Sequence, residues 1–345
     1  MSQLHHKVLQ VNKAHIGIFS NNSSLIFNQE YFEGAPHPVV KKGQGWKIHC
    51  LQADLYFRDV TKEFSNLENL DGCFYVLDYD RIIQPVIKAY DNTLIALGDW
   101  STLEQKVEDK RYTLFGNLGL FFRFTLKILE VKHNILSLHA CTLYNDKENQ
   151  LLLTLGGTGG GKSALLLNGI SQGFKIFSTE ITPIEVSDNS IVIHRSTLRN
   201  NVRLGHLIYD FPEIMKDLGL EFHDVEDVWG TKVQVDLGKY GYEKDNIVDP
   251  EIILIIPRIE EYNKECQYNI SKKSHKLKRI LLDNVTDRVR MLTLIYESVQ
   301  IKPDVLDDSY EKRVKLVDGF LEKANISKVV SIFASPKNCL AWYKI

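Results

Sequence analysis

Five glycines fall among the six residues from Gly156 to Gly161, and Lys162 and Ser163 follow at once. Gly156, Gly161, Lys162 and Ser163 match the Walker A spacing G-x-x-x-x-G-K-[ST], and each position has a mechanical reason. Phosphate oxygens must reach successive backbone N–H groups, and a side chain on that arc would block the approach or forbid a positive φ. The first amides of a helix lack intrahelical acceptors and lie at its positive end, so an anion fits there. The residues expected to wrap the phosphates are Gly156, Gly157, Thr158, Gly159, Gly160, Gly161, Lys162, Ser163 and Ala164. Lys162 would reach the outer phosphates and the Ser163 hydroxyl would take one Mg2+ position. The implied ligands are ATP and Mg2+. The competing reading is a glycine-rich turn that holds nothing; a dinucleotide fold is disfavoured, because its fingerprint needs neither the Lys nor the Ser.

Other residues could share that chemistry. Glu180 ends a short apolar segment after the loop, where a second Mg2+ contact is expected, although a solvated strand-end carboxylate has the same sequence signature. Arg195, Arg199 and Arg203 recur at i, i+4, i+8, which predicts one face of a helix starting near Ser196 or Thr197. Such a face suits polyphosphate or an anionic substrate, or is a solvated basic stripe. Arg258 follows the run Ile252–Ile256 and Pro257, at a strand end where open sheets carry site residues. His139 lies within a predicted strand, and on spacing alone it reads as a packed or hydrogen-bonded core residue.

The elements that must position these groups are readable in outline. Leu151, Leu152, Leu153 and Leu155 predict a strand into the loop, and Ala164–Leu167 a helix out of it, closed by Gly169 or Gly173. Upstream, Leu136–Leu143 predicts a strand paired with Gln150–Leu155 through a turn at Asn145, Asp146 and Lys147. Downstream, strands are expected at Phe174–Phe177, Lys232–Leu237, Ile252–Ile256 and Lys328–Phe333. A hairpin joins Glu185 to Ser190–His194 through Asp188 and Asn189. Helices are expected over Val285–Val299, capped by Asp283 or Asn284, and over Ser309–Lys323. Residues 1–115 read as a β-rich domain with strands at Ala14–Phe19, Trp46–Leu51 after a turn at Gly43–Gly45, Cys73–Leu77 and Leu94–Leu97. Asp78, Asp80 and Arg81 there read as a polar turn. Gly116–Val131 predicts a connecting helix packed on the second domain, residues 116–345, with Arg123, Lys127 and Glu130 on its polar side.

Composition narrows the class. With 345 residues, 44% hydrophobic, 25% charged and a net charge of −2, the chain is an ordinary globular sequence with no global attraction to nucleic acid or anionic membrane, and the strands and helices expected along it make it α/β (α+β). Lys272, Lys273, Lys276, Lys278 and Arg279 form the one basic run and read as a solvated face. Cysteines 50, 73, 141, 266 and 339 are scattered and odd in number, which suits a reducing compartment. No segment reads as a membrane span or signal peptide, so a cytoplasmic protein is expected.

From about Leu136 to Glu185 the chain resembles the HPr kinase/phosphorylase family and the wider group of kinases that share the phosphoenolpyruvate-carboxykinase nucleotide fold. The resemblance rests on LSLHACTLY around His139, on the loop G-x-x-G-x-G-K-S at Gly156, Gly159, Gly161, Lys162 and Ser163, and on the Gly-terminated helix and short strand that lead to Thr179 and Glu180. Family members carry two adjacent aspartates at those last two places, one acting on the attacking hydroxyl and one near the metal; this chain has Thr179 and Glu180. The resemblance implies a β-rich N-terminal domain followed by a P-loop kinase domain, an ATP- and Mg2+-dependent transfer to a hydroxyl of a peptide, protein or small metabolite, and assembly into homo-oligomers. It implies His139 on the acceptor side and Lys162 and Glu180 as catalytic residues. Thr179 supports the alternative, a nucleotide-binding regulatory or partner protein with weak or lost transfer. An ATPase or GTPase switch fits less well, since no N-K-x-D base-reading signal is present.

Overall fold

A computed structural model describes residues 4–27, 55–157, 159–222, 225–260, 265–290, 293–301 and 309–344. The turn and strand expected over residues 43–51, Cys50 and Thr158 lie outside them. The described chain is a mixed α/β protein with several sheets, and its contacts divide it into two compact units. Of the described residues, unit 1 collects those within 4–27, 55–137 and 285–317, and unit 2 those within 138–284 and 318–344.

Unit 1 opens with β1 (His5–Val11) and β2 (Ala14–Ser20), an antiparallel hairpin, followed by α1 (Ser24–Phe27) and β3 (Arg58–Asp59). β4 (Gly72–Asp78), β5 (Val86–Tyr90) and β6 (Thr93–Gly98) complete a six-stranded sheet in the order β3-β1-β2-β4-β6-β5, in which β2, β4 and β6 run parallel. Asp78 ends β4 by accepting bonds from Asn22 and Ser101, and Arg81 takes a positive φ of 70°, as a polar turn requires. α2 (Trp100–Lys106) is capped by Asp99, whose carboxylate accepts from the Thr102 amide.

α3 (Leu120–His133) sets Phe121 and Phe124 against Phe74 of β4, with ring centroids 5.6 and 6.2 Å apart, and Glu130 against Arg313, a residue of the expected second domain. Arg123, Lys127 and Glu130, expected on its polar side, are all buried. Two of these charges are met internally: Arg313 donates to Glu130 at 3.0 Å, and Arg123 to the Leu118 carbonyl at 3.3 Å.

β7 (Ile135–Leu138) and β8 (Ala140–Asn145) stand where one strand was expected. The break is at His139, whose amide and carbonyl pair with the Asn284 side chain at 2.8 and 3.0 Å instead of with a neighbouring strand. β8 forms the expected hairpin with β9 (Gln150–Leu155), Asn145 facing Gln150. After α4 (Lys162–Ser171) come β10 (Lys175–Ser178), β11 (Thr182–Val186), β12 (Ile191–His194) and β13 (Arg199–Arg203), then a π-helical turn (His206–Asp210), α5 (Pro212–Asp217), β14 (Lys232–Asp236) and β15 (Asn246–Val248). β16 (Glu251–Ile259), β17 (Gln267–Ser271) and α6 (His275–Arg290) follow. β18 (Thr293–Ile295) and β19 (Val299–Ile301) make a hairpin in unit 1, and α7 (Tyr310–Lys323) and β20 (Ile326–Ala334) end the regular structure.

The main sheet of unit 2 has the order β10-β8-β9-β16-β20-β17, with β9, β16 and β20 mutually parallel. Every residue of β9 is buried, and so are Ile252–Ile255 of β16, which explains their unbroken apolar runs: parallel strands covered on both faces have no polar side to show. β11, β12 and β15 pair antiparallel in another sheet, and β13 and β14 form a two-stranded ribbon.

The helix predicted over Val285–Val299 is displaced. α6 starts at His275 because its buried stripe, Leu277, Leu281, Val285 and Val289, begins there; Asp283 and Asn284 are interior to it rather than caps. Lys272, Lys273, Lys276 and Arg279 are exposed, and Lys278 pairs with Asp318 at 2.6 Å. Cys73, Cys141, Cys266 and Cys339 are free thiols. Among the described residues no helix is long and apolar enough to cross a membrane.

Candidate functional site

β9 delivers the chain to the glycine loop at the end of a fully buried strand, so the loop's start is held by the sheet itself. Gly159 and Gly161 adopt φ of 87° and 96°, which L side chains rarely take. Gly161 is required twice over, because a Cβ there would stand 2.3 Å from Ile259 Cγ1 at the end of β16. The loop closes on itself through the Gly160 amide, which donates to the Gly157 carbonyl at 3.3 Å. α4 then starts at Lys162 and packs close to β8: a Cβ on Gly169 would meet Leu143 at 2.2 Å. Gly173, at φ 87°, ends the helix, and the Phe174 amide reaches back to the Gly169 carbonyl at 3.0 Å.

Lys162 is only 8% exposed, and its Nζ folds back over the loop to donate to the carbonyls of Gly156 at 2.6 Å and Gly157 at 3.2 Å. The Ser163 hydroxyl donates to Asn200 Oδ1 at 3.2 Å. Asn200 is 1% exposed, and its Nδ2 has no partner among the described residues. Asn200 was not singled out from sequence. The signal that could have found it is the alternation of RNNVR read as a strand, which turns Asn200 inward with Val202.

Glu180 follows β10, and its Oε2 lies 3.6 Å from His139 Nε2; both side chains are largely buried. That separation is an ion-pair distance rather than a hydrogen bond. The Cys141 thiol reports that the loop and the carboxylate share one neighbourhood. Burial pushes its pKa up to about 12, Lys162 pulls it down and Glu180 raises it, so both charges are felt at one buried sulfur. Cys141 Sγ also contacts the Lys162 carbonyl at 3.7 Å.

Thr179 is buried, and its Oγ1 donates to the carbonyls of Arg199 at 2.6 Å and Thr197 at 3.1 Å. A carboxylate in that place would face two carbonyl oxygens with no proton to give. Beside it a chain of hydroxyls runs from Thr142 to Ser178 at 2.8 Å, to Thr182 at 2.6 Å and on to the Ala140 carbonyl at 3.0 Å, tying β8 to β10 and β11.

The three arginines do not form a helical face. Arg199 and Arg203 are on β13, and Arg195 precedes it. Residues four apart share a face on a strand as well as on a helix, so the spacing could not decide, and the two on the strand, Arg199 and Arg203, are spread over about 13 Å. Arg203 is committed to the Trp229 carbonyl. Arg258 is exposed, bonds Glu260 at 2.8 Å and lies over the Phe333 ring at 5.4 Å, while its neighbours Pro257 and Ile259 pack against the loop glycines. A second His–Glu pair, His194 with Glu185 at 2.9 Å, joins β12 to β11.

The chain matches no protein-family model and no curated protein sequence.

Proposed function

We propose that the chain is an ATP- and Mg2+-dependent phosphotransferase of the HPr kinase type, acting on a hydroxyl of a peptide, protein or small molecule. The observation that carries this reading is the glycine loop between a buried strand and a helix, with Lys162 and Ser163 at the helix start. The largely buried His139–Glu180 pair, 3.6 Å apart, supports it. The residues fit the implied ligand: Gly161 leaves no space for a Cβ, and Asn200 carries a buried Nδ2 with no partner among the described residues.

Lys162 Nζ, now spent on two loop carbonyls, exchanges them for phosphate oxygens, and the loop amides add further donors. Ser163 holds the metal side. When bound, Mg2+ offsets the negative charge of the transferring phosphoryl group. Glu180 takes the proton of the acceptor hydroxyl, and His139, 3.6 Å away, steadies the carboxylate and passes the proton on.

Incubating the chain with ATP and Mg2+, with and without free serine, hydroxyl-bearing peptides and a cell lysate, tests this by ADP release and phosphate incorporation. Transfer that disappears in Lys162→Ala supports the reading; unchanged turnover in that variant rejects it. A second reading, a nucleotide-binding regulator without efficient transfer, is favoured by Thr179, whose hydroxyl is committed to two carbonyls where the resembled family has an aspartate. Nucleotide binding without phosphate incorporation into any acceptor would select it.

A further inference from the structure

We infer that Asn200 is the positioning residue on the metal side of the glycine-loop site, accepting the Ser163 proton at Oδ1 and offering Nδ2 to an oxygen of a bound polyphosphate. The inference rests on the nucleotide-binding reading above and gives that site a residue which no motif assigns.

A hydroxyl that lends a lone pair to a divalent cation must send its proton to an acceptor on the other side. Asn200 Oδ1, 3.2 Å from Ser163 Oγ, is such an acceptor, and it fixes which way the serine lone pairs point. The other half of the same amide carries two N–H donors, is buried, and meets no acceptor among the described residues. Buried donors left unpaired are rare and costly, and this one belongs to a side chain already touching the first turn of α4.

The residue is held firmly. Asn200 faces Val235 in the β13–β14 register, and the residue before it is pinned at both backbone groups: the Arg199 amide donates to Thr197 Oγ1 at 3.2 Å, and its carbonyl accepts from Thr179 Oγ1 at 2.6 Å. Thr179 therefore has work to do where it stands, as a clamp on the segment that presents Asn200. The side chain that meets the serine is neutral, and among the described residues no group of three His, Cys, Asp or Glu side chains is placed to hold a metal. The consequence is a site that takes the cation only together with a phosphate chain, because phosphate oxygens must supply most of the ligands.

The test uses the full chain and two probes: Mn2+ alone, followed by electron paramagnetic resonance, and ATP, followed by calorimetry with Mg2+ or with EDTA. The wild-type chain is expected to bind Mn2+ only when nucleotide is present. Asn200→Asp keeps the acceptor and turns the donor into an anion; it should gain Mn2+ binding in the absence of nucleotide and lose about tenfold or more in ATP affinity. Asn200→Ala should reduce the ratio of ATP affinities with and without Mg2+, an effect that a merely structural residue would not produce. ATP affinities within about twofold of wild type in both variants, with no new Mn2+ binding, would overturn the inference while leaving the nucleotide site standing. If Asn200→Ala does not fold, the Asn200→Asp measurements decide alone. A wild-type chain that takes up no nucleotide would overturn the phosphotransferase reading and this inference with it.

Discussion

Two buried cations, Arg313 in unit 1 and Lys162 in unit 2, have similarly little contact with solvent and opposite surroundings. Arg313 donates to the Glu130 carboxylate at 3.0 Å and to Ser309 at 3.4 Å, a local arrangement of opposite charges built into α3 and α7. Lys162 donates to two carbonyls of a glycine loop whose outer glycines have open space around them: a Cβ on Gly157 or Gly159 would meet nothing within 4 Å. Carbonyls are weaker partners for an ammonium than a phosphate, so these bonds can be exchanged. A buried charge locked to its counter-charge holds a fold together; one bonded to the carbonyls of its own loop can exchange them, as the proposed function requires.

The largest effect should come from breaking the first kind. Arg313→Ala leaves Glu130 buried without its counter-charge and should lower unfolding free energy in urea by about 3–5 kcal/mol, with ATP affinity unchanged in whatever fraction remains folded. Gly161→Ala should come next, at about 2–4 kcal/mol, because it adds a strained φ to an overlap with Ile259. Because the strained residue sits in the loop, nucleotide binding should fall with it. Thr179→Val deletes the hydroxyl that serves the buried Thr197 carbonyl and the partly buried Arg199 carbonyl and should cost about 1–3 kcal/mol. Lys162→Ala sharpens the contrast: it should abolish ATP binding in calorimetry yet shift the unfolding midpoint by about 1 kcal/mol or less, since the freed loop carbonyls can turn to water. An unfolding loss as large as that of Arg313→Ala would erase the distinction between the two cations.

The smallest effect is a pH dependence. Burial raises the Cys141 thiol to about 12 and pushes Cys339 higher still, so the folded state holds these protons after the unfolded chain has begun to release them at its ordinary value of 9.0. The native state then binds more protons than the unfolded one, and stability present below pH 9 should decline as pH rises from there toward the folded value. Denaturant midpoints between pH 8 and about 11 measure the slope. At pH 8, alkylation of native chain by iodoacetamide should spare Cys141 and Cys339, and rapid modification of either would contradict their burial.

Much of unit 2's core was legible. The leucines of β9, the isoleucines of β16 and the paired hairpin at Asn145 and Gln150 follow from short-range pattern, because a strand covered on both faces must be apolar throughout. Arg195, Arg199 and Arg203 were not legible, since a spacing of four is compatible with both periodicities. α6 was misplaced because the charged residues around Leu277 and Leu281 hide an apolar stripe that only its i, i+4 spacing reveals. In the site, the loop residues were evident by type, whereas Asn200 carries no motif, and only the alternation of RNNVR read as a strand turns it inward.

By itself the sequence determined the loop, the strand before it and the helix after it, because glycine, lysine and serine at those spacings act through bonds between near neighbours. Tertiary structure alone decided that Thr179 serves carbonyls of residues 197 and 199, that Asn284 pairs with the His139 backbone between β7 and β8, that Arg313 meets Glu130 and that Asn200 meets Ser163. Each of those pairings joins residues far apart along the chain, and a hydrogen-bond partner brought in from a distance leaves no periodicity for a one-dimensional pattern to record.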